Sequence, residues 1–204
     1  DLVFVATSRP AVRIYQHCPA RSDAIRFLTE LPLPVQGLDL AVTDIAVLGD
    51  RLLVAVVHDA PLSAPDRGAV HVLRWKAPGA LTACPAAPTL PAAPETIGSF
   101  AADLIPRRLV LDPRRGQLLL GALTRPTFPI VEGGVFAYDL GALSGDGVPE
   151  ADEHRRDLTP DARRRATHAS VHDIQLDGDT MYVVDADNGL YRYAFGRQAY
   201  DAFY

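Results

Sequence analysis

A short apolar run recurs four times along the chain, at residues 1–8, 51–58, 117–124 and 180–187, and this repetition constrains the fold more than any other feature. After a polar or Pro/Gly-rich gap each is followed by a second run, at 11–17, 69–75, 134–140 and 189–195. In these a small residue leads, and Tyr15, Leu73, Tyr138 or Tyr193 takes the fifth place. Three units carry a further run in front, at 42–48, 106–111 and 171–176. Those three end in hairpin turns: Gly49-Asp50, Asp112-Pro113 through Gly116, and Asp177-Gly178-Asp179. Short runs rich in β-branched and aromatic residues at this spacing are strands, and nothing between them has the period of a long helix. Stretches 25–31 and 96–100, and one near Leu158, are candidates for a fourth strand.

The unit is therefore four antiparallel strands, returning every 50 to 66 residues by the spacing of Leu2, Leu52, Leu118 and Met181. One small sheet cannot bury both faces alone, whereas a ring of them can, which makes an all-β propeller the expected fold. The units run roughly 1–38, 39–104, 105–169 and 170–204. The chain enters at what reads as the second strand of a blade and stops after the third strand of the fourth unit. That gives about 14 strands where four closed blades need about 16, and an open ring exposes sheet edges. The expectation is three and a half to four blades of a larger propeller, about six to eight blades in all. The 204 residues, 48% hydrophobic and 22% charged, are enough for a sizeable core. No run approaches the roughly 18 apolar residues of a membrane span. A net charge of −5 argues against nucleic acid or an anionic membrane as the main partner.

The stretch from 171 to 193 carries His172-Asp173-Ile174, Gly178, Tyr182-Val183-Val184-Asp185, Asn188-Gly189-Leu190 and the aromatic pair Tyr191 and Tyr193. It resembles the propeller repeats called LVIVD repeats and, more loosely, lactonase-like and gluconolactonase-like propellers. Segments 42–75 and 105–140 are progressively weaker copies. The resemblance implies an architecture rather than an activity, since propellers host many functions.

In such a ring the first strand of each blade lines a central channel. Thr43-Asp44, Arg107-Arg108 and His172-Asp173 hold equivalent places just before the apolar core of that strand, so three blades would present them to one funnel. Arg107 and Arg108 suit an anionic ligand. Asp44, His172 and Asp173 suit Ca2+ or another divalent cation, as in calcium-dependent lactonase-like propellers, although the Asn and Glu ligands of those families have no counterpart here. Alternatively, these groups satisfy one another and cap strand ends. His168, Ser170, His172 and Asp173 make no triad, because the segment enters a strand and carries no nucleophile elbow. Asp185 through Gly189 reads as a turn, lacking the spacing of an EF-hand loop.

Cys18 and Cys84 sit in matched Cys-Pro-Ala contexts after the third strand of adjacent units. A disulfide between them would pin the Pro/Ala-rich loop 77–94 to the preceding blade and fit a periplasmic or secreted protein. Segments 59–68, 77–94 and 144–169 are long insertions that could form a partner surface. The leading expectation is a ligand-binding or protein-interaction module with no catalytic residues and no required cofactor. The alternatives are a metal-dependent lactonase-like hydrolase with a bound water as nucleophile, and a structural subunit of a larger assembly.

Overall fold

In a computed structural model the described residues are 2–18, 25–33, 40–58, 68–75, 94–124, 133–145, 148–159, 169–186 and 189–203. Their strands are β1 (Leu2–Ala6), β2 (Ala11–His17), β3 (Ile25–Pro32), β4 (Leu40–Leu48), β5 (Arg51–His58), β6 (Gly68–Arg74), β7 (Glu95–Phe100) and β8 (Pro106–Asp112). There follow β9 (Gln117–Ala122), β10 (Gly134–Asp139), β11 (Arg156–Asp157), β12 (Val171–Asp177), β13 (Thr180–Asp185), β14 (Gly189–Ala194) and β15 (Ala199–Phe203). They form four antiparallel sheets in chain order: sheet 1 of β1-β2-β3, and three sheets of four strands, β4 to β7, β8 to β11 and β12 to β15.

The expected fourth strands at 25–31 and 96–100 are β3 and β7. Two expectations need correction. The last unit does not stop at its third strand: Ala199–Phe203 pairs with β14, with Tyr191 opposite Phe203 and Ala194 opposite Ala199. It is short and interrupted by Asp201, and the one-turn link 195–198 is shorter than the gaps that announce the other fourth strands. The region 144–169 is also more than an insertion. It contains a 3-10 helix (Val148–His154) and the two-residue fourth strand β11, which pairs Ala137 with Arg156 directly before Leu158, where the sequence offers a candidate fourth strand.

Register exposes a subtler difference. Tyr15 lies opposite Val3, whereas Leu73, Tyr138 and Tyr193 lie opposite Leu52, Leu118 and Met181. Val3, not Leu2, is therefore the counterpart of Leu52. A one-residue slip moves every side chain of a strand to the other face.

The sheets stack through alternating faces. Leu2 and Phe4 of sheet 1 pack with Val12, Ile14 and Leu28 against Leu52, Val54, Val56, Leu73 and Trp75 of sheet 2. The other face of sheet 2, with Leu53, Ala55, Val70, Val72 and Phe100, packs on Leu109, Leu118, Leu120, Phe136 and Tyr138 of sheet 3. Leu119, Val135 and Ala137 then meet Ile174, Met181, Val183 and Tyr191 of sheet 4. Two glycines permit close approaches where the first strands begin. A Cβ at Gly121 would lie 2.7 Å from Val171 Cγ1, and one at Gly68 would lie 2.6 Å from the Val56 carbonyl and 2.7 Å from Pro106 Cδ.

Asp152 and Arg155 of the mixed-charge run 152–157 clasp sheet 2 to sheet 3. Asp152 accepts the Ala101 N–H at 2.9 and 3.1 Å and the Tyr138 hydroxyl at 3.3 Å. Ala101 is buried with φ of 57°, a left-handed conformation costly for a residue with a Cβ, and Asp152 holds it there. Arg155 pairs with Asp103 at 2.8 Å and covers the Phe136 ring.

Candidate functional site

The first strands of sheets 2, 3 and 4 share one irregularity. The register shifts between Val42 and Asp44 in β4, between Pro106 and Arg108 in β8, and between Val171 and Asp173 in β12. Each shift is a one-residue bulge, leaving Thr43, Arg107 and His172 unpaired in the ladder and re-aiming the residue that follows. The repeated polar dipeptides of the sequence are thus three copies of one bulge.

The residues after the bulges meet. Asp44 Oδ2 accepts Arg108 Nη1 at 3.2 Å and the Leu109 backbone N–H at 2.7 Å, while Oδ1 accepts its neighbour Ile45 N–H at 2.9 Å. Arg108 Nε lies 2.9 Å from Asp173 Oδ1, a charge contact and not an aligned hydrogen bond. Asp173 Oδ1 also accepts the Ile174 N–H at 2.9 Å, repeating the Asp44–Ile45 arrangement. One guanidinium therefore joins carboxylates from the sheets on either side, a row of Asp, Arg and Asp across the first strands of three sheets. Thr43 Oγ1 donates to the Pro106 carbonyl at 2.9 Å, tying the first bulge to the next sheet.

Thr43, Asp44, Arg108 and Asp173 are brought together; Arg107 and His172 stand exposed on their bulges. The proposed cation ligands do not converge. Among the described residues no group of three His, Cys, Asp or Glu side chains could hold a metal ion. The space between Asp44 and Asp173 is taken by Arg108, whose fixed charge does what a cation would otherwise do there. The donor set does not fit a divalent ion as it stands. Ser170 serves structure: its Oγ accepts the Thr124 N–H at 3.3 Å, and its own N–H reaches Asp185 at 3.2 Å. His168, Cys84, 187–188 and most of segments 59–68, 77–94 and 160–168 lie outside the described residues.

A second polar region escaped the sequence reading. Two adjoining clefts of ≈ 590 and ≈ 620 Å³ share Arg115, Gln117 and Arg156. Arg115 is engaged by Asp112 at 2.8 Å and by Asp179, and lies 3.9 Å above the Phe195 ring. Arg156 donates to Gln117 Oε1 at 2.8 Å and meets no carboxylate among the described residues. In the sequence Arg156 falls in a long insertion, and its pairing across β9 to β11 left no signal there.

Among the described residues no helix is long and apolar enough to cross a membrane. Set against known proteins, the chain matches no family model and no curated protein.

Proposed function

We propose that the chain is part of a β-propeller and works as a binding module, taking an anionic or polar group at the bulged ends of its inner strands. The observation that carries this reading is the Asp44–Arg108–Asp173 row. Three consecutive sheets aim equivalent residues at one place, as blades around an axis do, and the central guanidinium keeps 40% of its side chain exposed. Arg107, exposed beside it, adds a cation that no carboxylate neutralises among the described residues. The loops between strands supply further contact surface. A periplasmic or secreted setting belongs to the same reading: Cys18 is 3% exposed at the end of β2, and no described cysteine is a free thiol. The intended partner of Cys18 is Cys84, the only other cysteine in the sequence.

Amide NMR during separate titrations with inorganic phosphate and calcium chloride tests the site. Saturable phosphate shifts at Arg107–Leu109 and His172–Ile174, lost in Arg107→Ala, are expected. Shifts confined to Arg156 and Gln117 would move the site to the clefts. A calcium response centred on Asp44 and Asp173 would replace binding by metal chemistry. Thiol alkylation followed by intact mass, with no label taken up before reduction, is expected for the Cys18–Cys84 disulfide.

A further inference from the structure

Among the described residues sheet 1 has no counterpart of the strand that β4, β8 and β12 provide in the other sheets. Among the described residues β1 pairs only with β2, so its other edge carries unused backbone donors and acceptors. Beside that edge lies a largely apolar groove of ≈ 470 Å³, formed by Leu2 and Phe4 on one side and by Val47, Leu52 and Trp75 on the other.

The repeat shows what belongs in it. Counting from the residue after each bulge, the second residue of one inner strand packs in the same cluster as the third residue of the next. Ala46 shares the sheet 2–sheet 3 core with Leu111, and Val110 shares the sheet 3–sheet 4 core with Leu176. Val47 is the counterpart of Leu111 and Leu176, yet among the described residues it has no such neighbour and is 43% exposed. Trp75 at the back of the groove is 5% exposed, with its Nε1 donor unpaired.

We propose that the β1 edge and the groove in front of Val47 take an added β-strand: an extended peptide, antiparallel to β1, with an apolar side chain two residues beyond the position that follows its bulge. Ladder hydrogen bonds to β1 supply the attachment, and the side chain that fills the groove supplies the selectivity. Arg is favoured directly after the bulge, since it would stand beside Asp44 as Arg108 stands beside Asp173. The inference rests on the repetition of the sheets and not on ring closure, so the propeller reading can fail while this one stands.

The chain carries a single tryptophan, and it lines the groove, so Trp75 emission reports occupancy directly. The probe is a synthetic peptide of residues 104–112, which contains Arg108 and Val110. A saturable, one-to-one change in Trp75 emission is expected, together with slower hydrogen exchange at β1 amides. Val110→Glu in the peptide and Val47→Glu in the chain should each weaken binding by about tenfold or more. Val47 is exposed enough for the second variant to stay folded, which circular dichroism checks. No saturable change at millimolar peptide, or an equal response to both peptides, overturns the proposal. So does sedimentation showing that the chain pairs with itself through this edge, because the occupant would then be a second copy.

Discussion

The face of sheet 2 that looks toward sheet 1 and the face of sheet 1 that looks away from the stack carry equivalent residues with opposite fates. Leu52 and Val54 are 0% exposed, whereas Val3 and Val5, at the same places in the repeat, are 41% and 39% exposed. The far end of the stack behaves alike: Val184 is 45% exposed where its counterpart Ala55 is 0% exposed. The chemistry of the repeat is constant; only the presence of a neighbouring sheet changes. Each unit is built to be covered on both faces, and Val3, Val5, Ile25 and Phe27 form a patch of the kind that marks an interaction surface.

The largest test of that difference places the same charge at both positions. Val54→Asp buries an unpaired carboxylate between two sheets and is expected to cost more than about 4 kcal/mol, enough to unfold a marginal protein. Val5→Asp, on the open face, should cost less than about 1 kcal/mol by denaturant melt. Equal losses would mean that sheet 1 is covered in the folded protein.

The Asp44–Arg108–Asp173 row offers a second contrast, between Asp44 inside the stack and Asp173 at its end. Asp44 is engaged at both oxygens and takes a backbone N–H from the next sheet. Among the described residues Asp173 Oδ2 accepts nothing, and no described sheet packs beyond sheet 4. Asp44→Ala therefore strands the Leu109 N–H and should cost about 2 kcal/mol, whereas Asp173→Ala should cost about half that or less. Similar losses in chemical melts would place a covering group over Asp173.

How much of this was legible follows from where each signal is stored. The strands and their four-part repeat are written in local composition and turn residues, and these placed fourteen of the fifteen strands or their neighbourhood, missing Ala199–Phe203. The bulges left a trace as polar dipeptides before apolar runs, which singled out Thr43, Asp44, Arg107, Arg108, His172 and Asp173. Which of each dipeptide turns inward depends on the ladder, so Arg107 and His172 read the same as Arg108 and Asp173 although they stand outside the row. Pairing of charges is a property of the assembled stack. Asp44 and Asp173 suggested a cation site because nothing in the sequence states that Arg108 comes between them. The register of β1 was misread because an apolar run such as 2–5 scores alike in either frame until its partner Tyr15 fixes it.

The clasp between sheets 2 and 3 gives a smaller, pH-dependent contrast with the open ends. Burial, reinforced by the charge of Asp152, raises the Tyr138 hydroxyl above its ordinary pKa, and burial does the same for Tyr200 in sheet 4. A group whose folded pKa is raised contributes stability below the unfolded value, about 10 for tyrosine, and loses it as pH climbs further. Stability should therefore fall on the alkaline side of about pH 10, and Tyr138→Phe should flatten that limb at a cost near 1 kcal/mol at neutral pH. A variant with an unchanged alkaline limb would assign the loss to other groups.

The smallest effect is expected where the open face is most open. Ile25, at the start of β3 opposite His17, is 64% exposed, so little of its side chain leaves water on folding. Threonine keeps the branched Cβ that strands favour and removes the apolar tip. Ile25→Thr should shift stability by no more than about 0.5 kcal/mol, or about 1–2 °C in Tm for a chain of this size. Its effect should appear instead in association, as a smaller weight-average mass at high concentration in sedimentation equilibrium. A drop in Tm of several degrees would show Ile25 packed against something in the folded protein. The contrast between covered and open faces would then belong to the sheets alone and not to the working molecule.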